Sequence, residues 1–163
     1  MSMSDMPMAR HQRLVLAAVT WALGLMLVPA AGAQSLRLTI TPATISFASA
    51  DPDTTPSILA PAITVSYRVR FNDTGNWQIS LLASSDLTAG TATIAINNVT
   101  WTASPTPPFQ AGTLSRTVAQ TLASGTGNVQ NTTIGTVVFR LANSWTYNVG
   151  SYSTSVVYTL TAP

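Results

Sequence analysis

Ala62-Ile63-Thr64-Val65-Ser66-Tyr67-Arg68-Val69-Arg70-Phe71 decides the fold of this chain. Ile63, Val65, Tyr67, Val69 and Phe71 fall at every second position, with Thr64, Ser66, Arg68 and Arg70 between them. Successive side chains of a strand point to opposite faces, so this spacing gives one apolar face and one wet face. A helix would scatter both sets around its circumference. The β-branched and aromatic apolar residues also fit a pleated, half-buried surface.

Outward from this strand the period of two returns repeatedly. After Asn72-Asp73-Thr74-Gly75-Asn76, Trp77, Ile79 and Leu81 restart the alternation, which predicts a hairpin. Upstream, Leu36, Leu38 and Ile40 alternate with Arg37, Thr39 and Thr41, and Ile45 and Phe47 follow Pro42. Downstream, Ile94 and Ile96, then Asn97-Asn98, then Val99 and Trp101 predict a second hairpin. Pro105, Pro107 and Pro108 make residues 104–112 a linker or crossover, because proline cannot donate to a ladder. A weaker strand is expected over 118–122, with a short helix as the competing choice over 113–122. A glycine-rich loop is expected over 124–131 and an apolar strand over 134–141. Finally Tyr152, Thr154, Val156, Tyr158 and Leu160 alternate with Ser153, Ser155, Val157 and Thr159.

About eight or nine short strands with turn signals between them predict an all-β chain. The expected architecture is a single antiparallel two-sheet sandwich of immunoglobulin-like or Greek-key type over residues 34–163. A helical signal peptide is expected ahead of it, over residues 1–33. There Leu14 to Val28 is apolar and uncharged, and Pro29-Ala30-Ala31-Gly32-Ala33 follows. Ala31 and Ala33 satisfy the small-x-small rule, which places cleavage between Ala33 and Gln34. The competing reading is an uncleaved anchor, and Met8 is an alternative start. Arg10 and Arg13 are not adjacent, so the general secretory route is expected, ending in the periplasm, at the cell surface or outside.

Cleavage at that point would leave no His, Cys, Lys or Glu, since the one His is His11. The acids then left are Asp51, Asp53, Asp73 and Asp86, and the bases are Arg37, Arg68, Arg70, Arg116 and Arg140. Five Arg against four Asp give a net charge of +1. Acid–base chemistry near neutrality draws on side chains missing from this set, so a non-catalytic protein without cofactor is expected. There is no basic run to attract nucleic acid. Charged residues are 7% of the chain, against about 25% in ordinary domains, and Thr and Ser cover the surface instead. Few charges would then need desolvation at a contact with a neighbour.

Several residues stand out as candidates. Arg68 and Arg70 share the wet face of one strand and suit acidic sugars or a partner's carboxylate; the plainer role is to keep a sheet face soluble. Trp145 and Tyr147 fall in the connection 143–150, where an aromatic platform for a sugar is possible; covering one end of a sandwich is the plainer role. Trp77 and Trp101 sit at in-facing strand positions and are expected in the core. Asp51-Pro52-Asp53-Thr54-Thr55 offers two carboxylates to a calcium ion, which usually takes six or more oxygens, so a turn is expected there and no metal. Asp73 and Asp86 would be the acids of a glycan hydrolase, the minor alternative.

The segment from Tyr147 to Pro163, with Gly150-Ser151-Tyr152 leading into an alternating Thr/Val strand, resembles the last strand of bacterial surface β-sandwiches. It is similar to the end of WxL domains and to the last strand of spore-coat-U-type and fimbrial subunits. Tyr158-Thr159-Leu160 stands where the WxL family has its W-x-L. The resemblance implies association with the cell wall. Asn148-x-Gly150-x-Tyr152 also resembles the tyrosine corner of immunoglobulin-like domains, which implies a buried Tyr152 whose hydroxyl bonds to upstream backbone. The function expected is that of an exported interaction module at the cell surface, meeting cell-wall glycan or other surface proteins. The alternative is a pilin-like or coat-like subunit that self-associates, with the segment 34–41 as the strand to donate. No membrane contact is expected once the signal is removed.

Overall fold

The computed structural model describes residues 34–71 and 74–163. The signal peptide expected over residues 1–33, with Ala31 and Ala33, and the residues Asn72 and Asp73 lie outside the described residues. From Gln34 onward the chain is all-β, built of antiparallel sheets. Its strands are β1 (Ser35–Thr41), β2 (Ser57–Leu59), β3 (Ile63–Arg70), β4 (Asn76–Ala83), β5 (Leu87–Ala89), β6 (Ala92–Ile94), β7 (Val99–Ser104), β8 (Gly112–Thr113), β9 (Gln120–Thr126), β10 (Val129–Ala142) and β11 (Val156–Thr161). A single 3₁₀ turn, Ile96–Asn98, is the one helical element among the described residues.

The larger sheet runs β1-β3-β10-β7-β8, with β2 also lying along β10. The smaller sheet runs β11-β4-β9, and β5 pairs with β6 as a separate hairpin. β2 and β3 follow each other along the same edge of β10, with Leu59 opposite Arg140 and Ile63 opposite Val137. The break between them falls at Pro61, which has no N–H to give; Ala60 keeps the contact by donating its N–H to the Phe139 carbonyl at 2.9 Å.

The apolar halves of the alternating strands make the core. Ile63, Val65, Tyr67 and Val69 of β3 face Trp77, Ile79, Leu81 and Ala83 of β4, joined by Val137, Phe139 and Leu141 of β10 and by Trp101 of β7. The Tyr67 and Trp77 rings meet at 4.8 Å between the two sheets, and Phe109 sets its edge on Tyr67 at 5.8 Å. Trp101 is anchored as well as buried: its Nε1 donates to the Gln110 carbonyl at 2.9 Å. Both tryptophans expected inside are 3% exposed or less, which removes them from any ligand platform.

Several local expectations need correction. β3 and β4 do not form a hairpin: β3 pairs with β1 and β10, β4 with β11 and β9, so the two strands belong to different sheets. The second expected hairpin fails likewise, because β6 pairs with β5 while β7 joins the larger sheet, with the 3₁₀ turn between. No helix forms over 113–122; Leu114 is drawn inward, its N–H donating to the Val99 carbonyl. The expected loop over 124–131 is mostly strand, leaving a turn at Gly127, whose φ of 67° lies in the left-handed region that glycine tolerates best. Alternation reports which face a residue occupies, but it carries no information on which strand lies alongside.

Candidate functional site

The outer face of the larger sheet gathers charge. Along β1 and β3 the register sets Arg37 opposite Arg68 and Ser35 opposite Arg70. Partners in a ladder share a face, and the inward positions between them hold Val65, Tyr67 and Val69, so all three guanidinium groups emerge on the outside. Arg140 of β10, opposite Leu59 and Thr100, emerges on the same face further along. Four of the five arginines among the described residues therefore share one side of one sheet.

No described carboxylate neutralises them. The single ion pair among the described residues joins Arg116 to Asp86 at 3.5 Å, away from this face. Arg70 donates a long bond, 3.4 Å, to the Gln130 carbonyl. The Arg68 Nε is shielded from solvent and has no hydrogen-bond partner. The next rows of the same face are Thr39, Ser66 and Ile134, then Thr41, Thr64 and Thr136. Ile134 stands 59% exposed among these hydroxyls.

At the far end of the sheet lies a second feature, around Trp145. This ring is 67% exposed, and its Nε1 donates to Asp53 Oδ1 at 2.9 Å. The Asp51–Thr55 segment is a tight turn: the Asp53 N–H donates to Asp51 Oδ1 at 2.9 Å, and the Thr55 N–H to the Asp51 carbonyl at 2.7 Å. Asn143 clamps the turn from below, its Nδ2 donating to the carbonyls of Ala50 and Thr55 at 3.0 Å each. The candidate calcium segment is thus a turn whose carboxylates already accept protein donors, and no group of three His, Cys, Asp or Glu residues forms among the described residues. Tyr147 does not join Trp145 in a platform, because it packs against the core while Trp145 stands in solvent.

The remaining candidates have local roles. Tyr152 donates its hydroxyl to the Asn148 carbonyl at 2.9 Å, so the expected bond is present; the ring, however, is half-buried, not buried. Gly150 is exposed, and a Cβ there would come 2.9 Å from the Ala89 Cβ. Gln34 caps the strand end by donating its side-chain amide to the Pro163 carbonyl. Asp86 accepts the Ile96 N–H at 2.9 Å with one oxygen and faces Arg116 with the other, beside a shallow hollow of about 510 Å³ bordered by Asn97, Leu114 and Gln120. Asp73, its suggested partner in a hydrolase, lies outside the described residues.

Of the arginine patch, the sequence offered Arg68 and Arg70 but not Arg37. Its signal was there, since Arg37 alternates with Leu36 and Leu38. What placed it opposite Arg68 was the pairing of β1 with β3. No helix among the described residues is long and apolar enough to cross a membrane. No model of a known protein family matches the chain, and no curated protein matches it either.

Proposed function

We propose that this chain is an exported, non-catalytic β-sandwich of immunoglobulin-like, Greek-key type that works by surface contact at the bacterial cell envelope. The observation that carries the reading is the outer face of the larger sheet, where Arg37, Arg68, Arg70 and Arg140 stand without a described carboxylate beside them. A protein this poor in charge would leave four like charges on one face only at a cost in self-repulsion, and a partner offsets that cost. Consecutive strands that repeatedly cross between sheets, as β3 to β4 and β9 to β10 do, support the Greek-key part of the reading. The likeness of the last strand to those of WxL and related surface domains supports the place of action.

Fractionation of the source cells tests it. The protein is expected in the envelope or the medium, with Gln34 as its first residue, and sedimenting with isolated envelopes. Protein confined to the cytoplasm with Met1 retained would overturn it.

A specific feature favours a second reading, a subunit that polymerises by exchanging β1. That strand lies at the edge of its sheet, and residues 42–56, which contain no strand, join it to β2. A tether of that length lets β1 leave β3 and pair with a neighbour's β3 in the same register. Sedimentation over a wide concentration range decides: a monomer throughout counts against exchange.

A further inference from the structure

We infer that Arg37, Arg68 and Arg70 form a docking patch for a carboxylate-bearing polysaccharide laid across the β1–β3 ladder. The inference deepens the surface-contact reading and rests on it for where the partner is met. The chemistry rests on the register itself.

Like charges directly opposite in a ladder destabilise it, and Arg37 stands directly opposite Arg68. Arg70 lies two residues along the same strand, about 6–7 Å from Arg68 between Cα atoms. Three guanidinium groups thus share a patch with no described carboxylate at ion-pairing distance. Each guanidinium presents a planar fork of donors matched to a carboxylate. A partner that supplies carboxylates relieves the repulsion and satisfies these donors together.

The surroundings select the kind of anion. Beside the arginines the face presents Thr39 and Ser66, then Thr41, Thr64 and Thr136, all able to bond sugar hydroxyls. The exposed Ile134 offers an apolar contact for the C–H face of a sugar ring. Outward positions of β1, β3 and β10 carry no aromatic side chain, so single-stranded nucleic acid finds no stacking platform.

Polygalacturonate and its carboxyl-reduced counterpart test the patch, with binding to the purified protein read by calorimetry. The charged polymer is expected to bind, with affinity falling as salt rises, and the reduced polymer is expected not to bind. Replacing Arg37→Gln together with Arg70→Gln is expected to weaken binding about ten-fold, the sum of a few exposed charge pairs. Both side chains are exposed, so the folded structure should survive, which circular dichroism checks. A control with Arg116→Gln removes an arginine that pairs with Asp86 away from this face and is expected to stay within about two-fold of the parent. Equal binding by the first variant, or equal binding of the reduced polymer, overturns the inference. So does association between copies that depends on Arg37 and Arg70 without any polymer binding. Sedimentation with envelopes that ignores the arginines would sink the patch and leave the wider reading standing; polymer binding by a cytoplasmic protein would do the reverse.

Discussion

Phe109 lies directly on Gly135: a Cβ added to that glycine would come 2.2 Å from Cε2 of the Phe109 ring. Gly135 sits in β10 opposite Val65, and Phe109 comes from the proline-rich stretch, tied by its N–H to the Pro105 carbonyl at 3.2 Å. The contact therefore pins a connection to the centre of the larger sheet. Gly135→Ala is expected to push the ring away and cost about 1–3 kcal/mol through overpacking. Phe109→Ala is expected to cost about 3–5 kcal/mol through the cavity it leaves. Denaturant unfolding measures both, and a neutral Gly135→Ala would refute the close seating.

Asn143 holds the turn that carries Asp53, the acceptor for the Trp145 Nε1. Asn143→Ala removes both amide bonds to Ala50 and Thr55 and leaves their carbonyls to water. A loss of about 1–2 kcal/mol is expected, with faster hydrogen exchange confined to residues near 50–56. Unchanged exchange there would show that the clamp is idle.

Tyrosines set the alkaline limit. Burial pushes the Tyr158 phenol well above the usual 10.0, and burial pushes Tyr67 up too, with a hydrogen bond from Thr133 pulling the other way. A raised value in the folded state means that the folded protein holds its proton longer than the unfolded chain does. Their contribution is thus complete below pH 10.0 and is lost as pH climbs from there toward the folded values. The melting temperature is expected to fall above about pH 10, and less steeply for Tyr158→Phe. An equal alkaline slope in that variant would clear Tyr158 of the effect.

Asp86 is a structural acid. Asp86→Ala frees the Ile96 N–H at the 3₁₀ turn and leaves Arg116 without its ion pair. A destabilisation of about 1–3 kcal/mol is expected, nearly all from the unsatisfied N–H, because the Arg116 pair is exposed. Arg116→Ala, expected within about 0.5 kcal/mol of the parent, separates the two terms in a denaturation series.

The fold class was legible because alternation was legible. The faces of β3, β4 and β10 follow from Ile63 to Phe71, Trp77 to Leu81 and Val137 to Leu141 without any knowledge of neighbours. Pairing was not, since a turn such as residues 72–76 can close a hairpin or carry the chain to the opposite sheet with the same residues. Phe109 was hidden for another reason: three prolines lie just ahead of it, no period runs through it, and its partners lie elsewhere in sequence. Of the patch, the face of Arg68 and Arg70 could be read, whereas the neighbour that makes it a cluster depends on a strand pair more than twenty-five residues apart (Arg37 with Arg68).

β10 touches β2, β3 and β7, and β4 takes β11 as one of its two neighbours. Strands made early in synthesis thus wait for partners made near the end. β1 and β3 can meet beforehand, but the larger sheet has no spine until residues 129–142 arrive. Most of the pairing that closes both sheets therefore waits for the last third of the chain. Slow closure of such distant pairs is the kinetic cost of this topology.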